Sequence, residues 1–384
     1  MFDSKLPEVG TTVFTVMSEL ASRHGAVNLG QGFPDFDPPE ALKQALTRYV
    51  AAGKNQYAPM PGLLELRARI AGEIERCYGR RVDPETELTI TSGATEAIFD
   101  AILAIVRPGD EVVLLDPAYD SYEPAIRLAG GRAVHVPLLP PDFAVDWQRV
   151  GAAVNERTRL LVLNFPHNPS GAVLSPADLD ALAEILERTR VLVLSDEVYE
   201  HIVFDGRAHQ SLLRRPEIYA RSVTVSSFGK SFHATGWKVG WTTANPALTT
   251  EIRKVHQFVT FSTNSPAQYA LAEVLASEPE HLVGLRAFYQ AKRDRFRALI
   301  EGTPFRLFPV AGAYFQLVDY SAVSDLVDLD FAKWLTTEIG VAAIPLSPFY
   351  ESPPDARIVR FCFCKEDSTL VLAAERLGKL RARS

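Results

Sequence analysis

Residues 159–200 read RLLVLNFPHNPSGAVLSPADLDALAEILERTRVLVLSDEVYE. The runs Arg159–Asn164 and Val191–Ser195 are short, rich in Leu and Val, and do not alternate with polar residues. Strands covered on both faces read this way, and burial on both faces is typical of parallel sheets. Between the two runs, Pro176–Arg188 reads as a crossover helix. Strand, helix and parallel strand in succession make the repeating unit of an open, doubly wound α/β sheet.

The same alternation extends in both directions. Leu88–Thr91, Glu111–Asp116, Ala133–Val136 and Val223–Ser226 read as further strands, with helices over Ala94–Val106 and Ser121–Ala129. Upstream, the spacing predicts a helix from Pro38 to Ala52, with Asp37 as its N-cap and Gly53 as its stop, and a second over Leu63–Tyr78 ending at Gly79. Helical periodicity dominates from Pro246 to Ile300. Strands at Tyr314–Val318 and Ile358–Cys362 then alternate with helices at Phe331–Ile339 and Ser368–Leu380, which reads as a second, smaller α/β domain. The expected division is an N-terminal arm joined to the small domain (1–37), a large domain (38–285) and the rest of the small domain (286–384).

The composition narrows the function classes. The chain has 384 residues, 47% hydrophobic and 23% charged, which is ordinary for a globular protein with a large core. Its net charge is −7 and its 40 Lys and Arg form no basic stripe, which argues against nucleic acid or an anionic membrane as the main partner. No apolar run reaches the roughly 18–20 residues that span a bilayer. The opening MFDSKLPEVGTT lacks the pattern of a secretion signal, and Cys77, Cys362 and Cys364 are too few for a disulfide framework. The expectation is a cytoplasmic protein. The eight histidines show no metal-binding spacing, so no metal site is expected.

In an open α/β sheet, ligands bind beyond the carboxyl ends of the strands. Ser92-Gly93-Ala94-Thr95 opens a helix there, and free N–H groups with a helix dipole make an anion site. Successive strand ends add Tyr119, then His167-Asn168-Pro169, then Asp196, Glu197 and Tyr199, then Ser227, Gly229 and Lys230. Singly, a lysine is usually a solvated charge and an aspartate a helix cap. Together they suit pyridoxal 5′-phosphate, which needs an amine for its aldehyde, a carboxylate for its ring nitrogen, amides for its phosphate and a flat face for its ring. Gly229-Lys230-Ser231 superficially matches the end of a P-loop, but that pattern requires glycine at 224, which is threonine.

Ser226–Phe232 with Gly236–Trp241 resembles the cofactor-lysine signature of the class I/II aminotransferases of fold type I. Asn168-Pro169-Ser170-Gly171, Asp196-Glu197-Val198-Tyr199 and Arg360-Phe361 match the other hallmarks of that family, in order. Asn28–Phe36 and Asn55-Gln56-Tyr57 resemble the branch that holds kynurenine/glutamine transaminases and bacterial methionine aminotransferases. Gly10–Phe14, Asp116–Tyr122 and Val341–Ser347 look most like the bacterial methionine enzymes. The resemblance spans essentially the whole chain.

It implies that Lys230 bonds the cofactor aldehyde and later shuttles a proton, and that Asp196 pairs with the pyridinium nitrogen. Tyr199 and Asn168 would hydrogen-bond the ring oxygen, and Tyr119 would stack on the ring. Gly93, Ala94, Thr95, Ser227 and Lys238 would hold the phosphate, Lys238 replacing the arginine of many relatives. Arg360, helped by Asn168 and the Gly32 backbone, would clamp the substrate α-carboxylate. Tyr57 would reach the phosphate of a neighbouring subunit, implying a homodimer with shared sites. Phe14, and Phe261 from the partner, would line the side-chain pocket, although aromatics in such a chain are mostly core.

The expected activity is ping-pong amino transfer between an apolar L-amino acid, methionine or an aromatic one, and a 2-oxo acid. The alternatives are succinyl-diaminopimelate transamination, which needs further cations for the distal carboxylates, and C–S β-lyase chemistry on cysteine conjugates. A non-catalytic regulator would carry a DNA-binding head, which neither the beginning of the chain nor its net charge leads one to expect.

Overall fold

The computed structural model describes residues 3–383, so the first two residues of the N-terminal stretch and the last residue lie outside it. The chain opens with α1 (Val13–His24), β1 (Val27–Asn28), α2 (Glu40–Ala51) and α3 (Leu64–Tyr78). Asp37 is not the cap of α2. The helix starts behind Pro39, and the Asp37 carboxylate instead pairs with Lys43 at 2.8 Å. Ala52 is the C-cap, one residue before the expected Gly53, whereas Gly79 closes α3 in the left-handed conformation as expected.

The alternating region builds β2 (Leu88–Thr91), α4 (Gly93–Ile105), β3 (Glu111–Asp116), α5 (Tyr122–Leu128), β4 (Arg132–Pro137), α6 (Trp147–Ala153) and β5 (Thr158–Asn164). It continues with α7 (Pro176–Arg188), β6 (Leu192–Asp196), α8 (Pro216–Tyr219), β7 (Ser222–Ser227), α9 (Phe228–Ser231) and β8 (Gly240–Ala244). These strands form one seven-stranded sheet in the order β2-β8-β7-β6-β5-β3-β4. Its pairings are parallel except those of β8, which runs against both neighbours.

Successive residues of one strand enter different cores. Val112 and Leu114 pack with α4 and α5, while Val113 and Leu115 pack with α7. Burial on both faces is why the sequence shows runs rather than alternation. The sequence reading missed β8 because its residues are Gly-Trp-Thr-Thr-Ala, polar or small for the most part, yet all five are buried. The edge strand β4 is only partly buried, so both-face coverage does not extend to it.

The helical stretch divides into α10 (Pro246–Val259), α11 (Ser265–Ser277) and α12 (Glu280–Ile300). Beyond it come β9 (Arg306–Leu307), β10 (Phe315–Asp319), α13 (Asp328–Trp334), β11 (Val341–Ala342), β12 (Ile344–Pro345), β13 (Ile358–Cys362) and α14 (Asp367–Leu377). Strands β12-β13-β10-β9 make an antiparallel sheet that holds Arg360 opposite Leu317 and Ile344. β1 pairs in parallel with β11, which fastens the N-terminal arm to the C-terminal part of the chain. Among the described residues, no helix is long and apolar enough to cross a membrane.

Candidate active site

The carboxyl ends of the parallel strands converge on a cavity lined by Gly93, Ala94, Thr95, Tyr119, Asn168, Asp196, Tyr199, Ser227, Lys230 and Lys238. All of these residues were singled out in the sequence. The cavity measures about 180 Å³ and adjoins a second, of about 200 Å³, lined by Phe14, Gln31, Gly32, Phe33, Phe315 and Arg360. Tyr119, Asn168, Tyr199 and Lys230 line both. Each cavity is several times the roughly 30 Å³ share of one water.

α4 begins at the inner cavity. Its N-cap Ser92 makes no side-chain cap bond, and Gly93 adopts φ +73°. A Cβ on Gly93 would lie 3.2 Å from Lys238 Nζ, so the glycine lets the lysine approach the open helix end. Uncapped amides beside an ammonium make an anion cradle. Ser227 caps the short α9, its Oγ accepting the Gly229 N–H at 3.2 Å, and this turn projects Lys230 from the end of β7.

Asp196 is buried at the end of β6. Its carboxylate accepts the Tyr122 hydroxyl at 2.7 Å and, more distantly, the Val198 N–H at 3.4 Å. Burial raises this carboxyl to about 6, against the pull of Tyr122. Burial also lowers the Lys230 ammonium from its ordinary value, although Asp196 partly opposes the shift. A depressed lysine is a better nucleophile and proton carrier near neutrality. Lys230 Nζ has a weak contact with the Gly32 carbonyl at 3.4 Å and faces the Tyr199 and Tyr314 rings. Burial holds the Tyr199 hydroxyl well above the usual range and raises that of Tyr119 to about 12. Both are neutral hydrogen-bonding groups at pH 7.

Arg360 is almost fully buried. Nη1 donates to Asn168 Oδ1 and Nη2 to the Gly30 carbonyl, each at 2.7 Å. Its Cζ lies 4.1 Å from the centre of the Phe315 ring and 5.3 Å from that of Phe14. Among the described residues Nε–H has no partner, an unusual state for a buried donor and one that leaves the group ready to bind an anion. Gly32, expected to help Arg360 hold the substrate carboxylate, lines the same cavity as that arginine, and its carbonyl accepts the Tyr314 hydroxyl at 2.7 Å.

Two expected residues do not reach the cavities of their own chain. Tyr57 is 81% exposed, and its ring packs against that of Phe261, itself 41% exposed, at 5.5 Å. Several residues at or beside the cavities escaped the sequence reading. Asn164 ends β5 and gives its amide to the Asp196 carbonyl at 3.2 Å. The strand-end rule itself could have found it. Tyr122, Thr235, Tyr314 and Phe315 carry no local signal, because only tertiary packing brings their helix, turn and strand to the site.

The sequence profile of the aminotransferase class I and II family matches residues 25–377. The chain belongs to that family and is an aminotransferase, an enzyme acting on amino and 2-oxo acids. A methionine aminotransferase of Escherichia coli (strain K12) is 53% identical over 377 residues, with 98% of each chain covered. A probable N-succinyldiaminopimelate aminotransferase of Mycobacterium tuberculosis is 42% identical, covering 99% of this chain and 98% of its own. The kynurenine–oxoglutarate transaminase of Dictyostelium discoideum is 36% identical, covering 97% and 94%. The crystal structure of an Escherichia coli protein described as having a methionine aminotransferase function superposes with a TM-score of 0.97, covering 99% of this chain and 100% of that one.

Proposed function

We propose that the protein uses pyridoxal 5′-phosphate to move the amino group of methionine and other apolar L-amino acids, aromatic ones included, to a 2-oxo acid in a ping-pong cycle. The observation that carries this reading is one continuous site, with an anion cradle, a buried carboxylate and a depressed lysine at one end and a buried arginine beside two phenylalanine rings at the other. The donor set fits the cofactor. The amides of Gly93, Ala94 and Thr95 with Ser227 and Lys238 take the phosphate, Asp196 the ring nitrogen, Asn168 and Tyr199 the ring oxygen, and Tyr119 offers a flat face. Bound there, the cofactor supplies an aldehyde and an electron-withdrawing ring, the chemistry that loosens bonds at an amino acid's Cα.

The chain's own residues do the rest. Tyr122 steadies the Asp196 carboxylate in its ionised form. Lys230 Nζ holds and moves the proton next to the reacting carbon. Arg360 orients every substrate by the carboxylate they all share, with Asn168 fixing one of its nitrogens. Phe14, Phe33 and Phe315 exclude water around the side chain. Arg360 and Lys230 are the cations among the residues lining this outer cavity, which leaves none for a distal carboxylate and favours methionine over succinyl-diaminopimelate. Apolar walls separate neighbouring hydrophobic side chains by only about 1–3 kcal/mol per methylene, so a broad donor range is expected.

The same reading takes the enzyme as a cytoplasmic homodimer. Tyr57 and Phe261 then serve the neighbouring subunit's site, as supported by their exposure beside Phe258, 85% exposed. It divides the chain into a large domain over 38–285 and a small one of 286–384 with the arm 1–37. A panel of amino donors against several 2-oxo acids tests the assignment. Methionine, phenylalanine and tyrosine should exceed aspartate and N-succinyl-diaminopimelate at least tenfold in kcat/KM, and the purified protein should absorb in the visible. Preference for either acidic donor would overturn the substrate class. A colourless protein that pyridoxal 5′-phosphate cannot reconstitute would overturn the cofactor.

A further inference from the structure

Behind the open end of α4 lie three buried titratable side chains that amino transfer does not use: Glu96, Asp100 and His256. Glu96 sits one turn into α4. Its carboxylate turns back to accept the main-chain N–H of Ser92, the residue just before the Gly93-Ala94-Thr95 cradle. It also meets His256 Nδ1 at 2.9 Å. That separation is a charge-assisted hydrogen bond with a proton between the atoms. Asp100 lies 3.5 Å from the same nitrogen and has no other partner among the described residues.

The opposite edge of the imidazole points elsewhere. His256 Nε2–H donates to the Met60 carbonyl at 3.0 Å, in the loop that carries Tyr57. The main-chain carbonyl of His256 accepts the N–H of Phe261 at 2.9 Å. One residue is therefore bonded to the cradle of its own site and to the loops bearing Tyr57 and Phe261, the two aromatics left outside that site.

We propose that His256, held as an imidazolium by Glu96 and Asp100, is a positioning residue that fixes the phosphate cradle through Glu96 and the Tyr57 loop through Met60. The charge states agree. Burial works against a charged imidazole here, but the two carboxylates outweigh it and bring His256 to about 9. Burial also works against the Glu96 carboxylate, which His256 and Ser92 nonetheless hold below its usual range. Asp100, raised by burial to about 6, is largely ionised at neutral pH and adds its attraction for the imidazolium to that of Glu96, leaving the cluster with one net negative charge.

The proposal rests on the phosphate assignment above, and the two halves of the imidazole can be tested apart. Asparagine places its amide where Nδ1 stood, and glutamine where Nε2 stood. Both variants remove the charge, but His256→Gln keeps a donor for Met60 and leaves Glu96 without its hydrogen-bond donor. His256→Asn keeps a donor for Glu96. Apo-protein is titrated with pyridoxal 5′-phosphate and, separately, with pyridoxal, which lacks the phosphate. For His256→Gln the phosphorylated ligand should bind about tenfold more weakly and pyridoxal within twofold of the parent. His256→Asn should stay within threefold for both. Glu96→Gln retains an oxygen for Ser92 but no charge, and should lose two- to threefold for the phosphorylated ligand alone. Equal losses for the two ligands, or no loss in either His256→Gln or Glu96→Gln, would overturn the positioning role. Should the parent itself ignore the phosphate, the cofactor assignment fails instead.

Discussion

Replacing Arg360 with lysine isolates what the guanidinium plane contributes. In the structure two of its five N–H groups are committed, to Asn168 and Gly30, and Nε–H is free. The rest of the fork is available to a substrate carboxylate, while the rings of Phe315 and Phe14 pack against it. A lysine ammonium is a single point with three donors, so it cannot keep both anchors and still grip two oxygens. One charge-assisted hydrogen bond is lost, about 1.5–3 kcal/mol. At 1.4 kcal/mol per decade, kcat/KM should fall roughly 10- to 150-fold. The factor should be equal for methionine, phenylalanine and tyrosine and for each 2-oxo acid, because the carboxylate is common to all. Burial already depresses Arg360 and would depress a lysine further. The ammonium is charged below its folded pKa, so the deficit should deepen as pH rises. Steady-state rates for three donors across pH 6–9 measure this. A loss under threefold, or one confined to a single donor, would refute the assigned grip.

Other perturbations probe neighbouring parts. Lys230→Ala should abolish turnover in a donor–acceptor assay while cofactor still binds, since the cradle lies on other residues; retained turnover would remove the lysine from the mechanism. Tyr122→Phe deletes a bond to the charged form of Asp196, worth about 1.5–3 kcal/mol, or one to two pKa units. With the carboxyl at about 6, cofactor affinity in the parent should weaken as pH falls through that value and in the variant one to two units higher, and an unmoved midpoint in a binding titration would count against Asp196 as the ring-nitrogen partner. Gly62 adopts φ +93°, and a Cβ there would stand 2.2 Å from Ile90 Cγ1. Gly62→Ala should cost about 2–4 kcal/mol, read as a fall in thermal midpoint, and a change below 0.5 kcal/mol would show that the loop re-forms freely.

Most of the large sheet was legible because residue chemistry and strand topology coincide there. Parallel strands buried on both faces announce themselves as apolar runs, and ligands sit at their carboxyl ends, so Lys230, Asp196, Asn168, Tyr119 and the Gly93 turn could be placed without coordinates. β8 failed the same test because Thr242 and Thr243 are buried by position rather than by character. Asp37 failed as a cap because the preference of aspartate for helix starts is weaker than the geometry set by Pro38 and Pro39. Tyr122 and Asn164 support Asp196 from separate elements, and no local pattern distinguishes a supporting tyrosine from a core one.

The sequence by itself determined most of the sheet, the end of it at which a ligand is expected and the inventory of candidate groups there, since each follows from short-range pattern and residue type. The tertiary structure decided how those groups are tuned. It buried Asp196 and Lys230 until their proton affinities moved in opposite directions, turned the Gly30 carbonyl toward Arg360, and joined Glu96 to His256 across 160 residues of chain. Such effects depend on desolvation and on contacts between distant segments, and neither is written in any window of neighbouring residues.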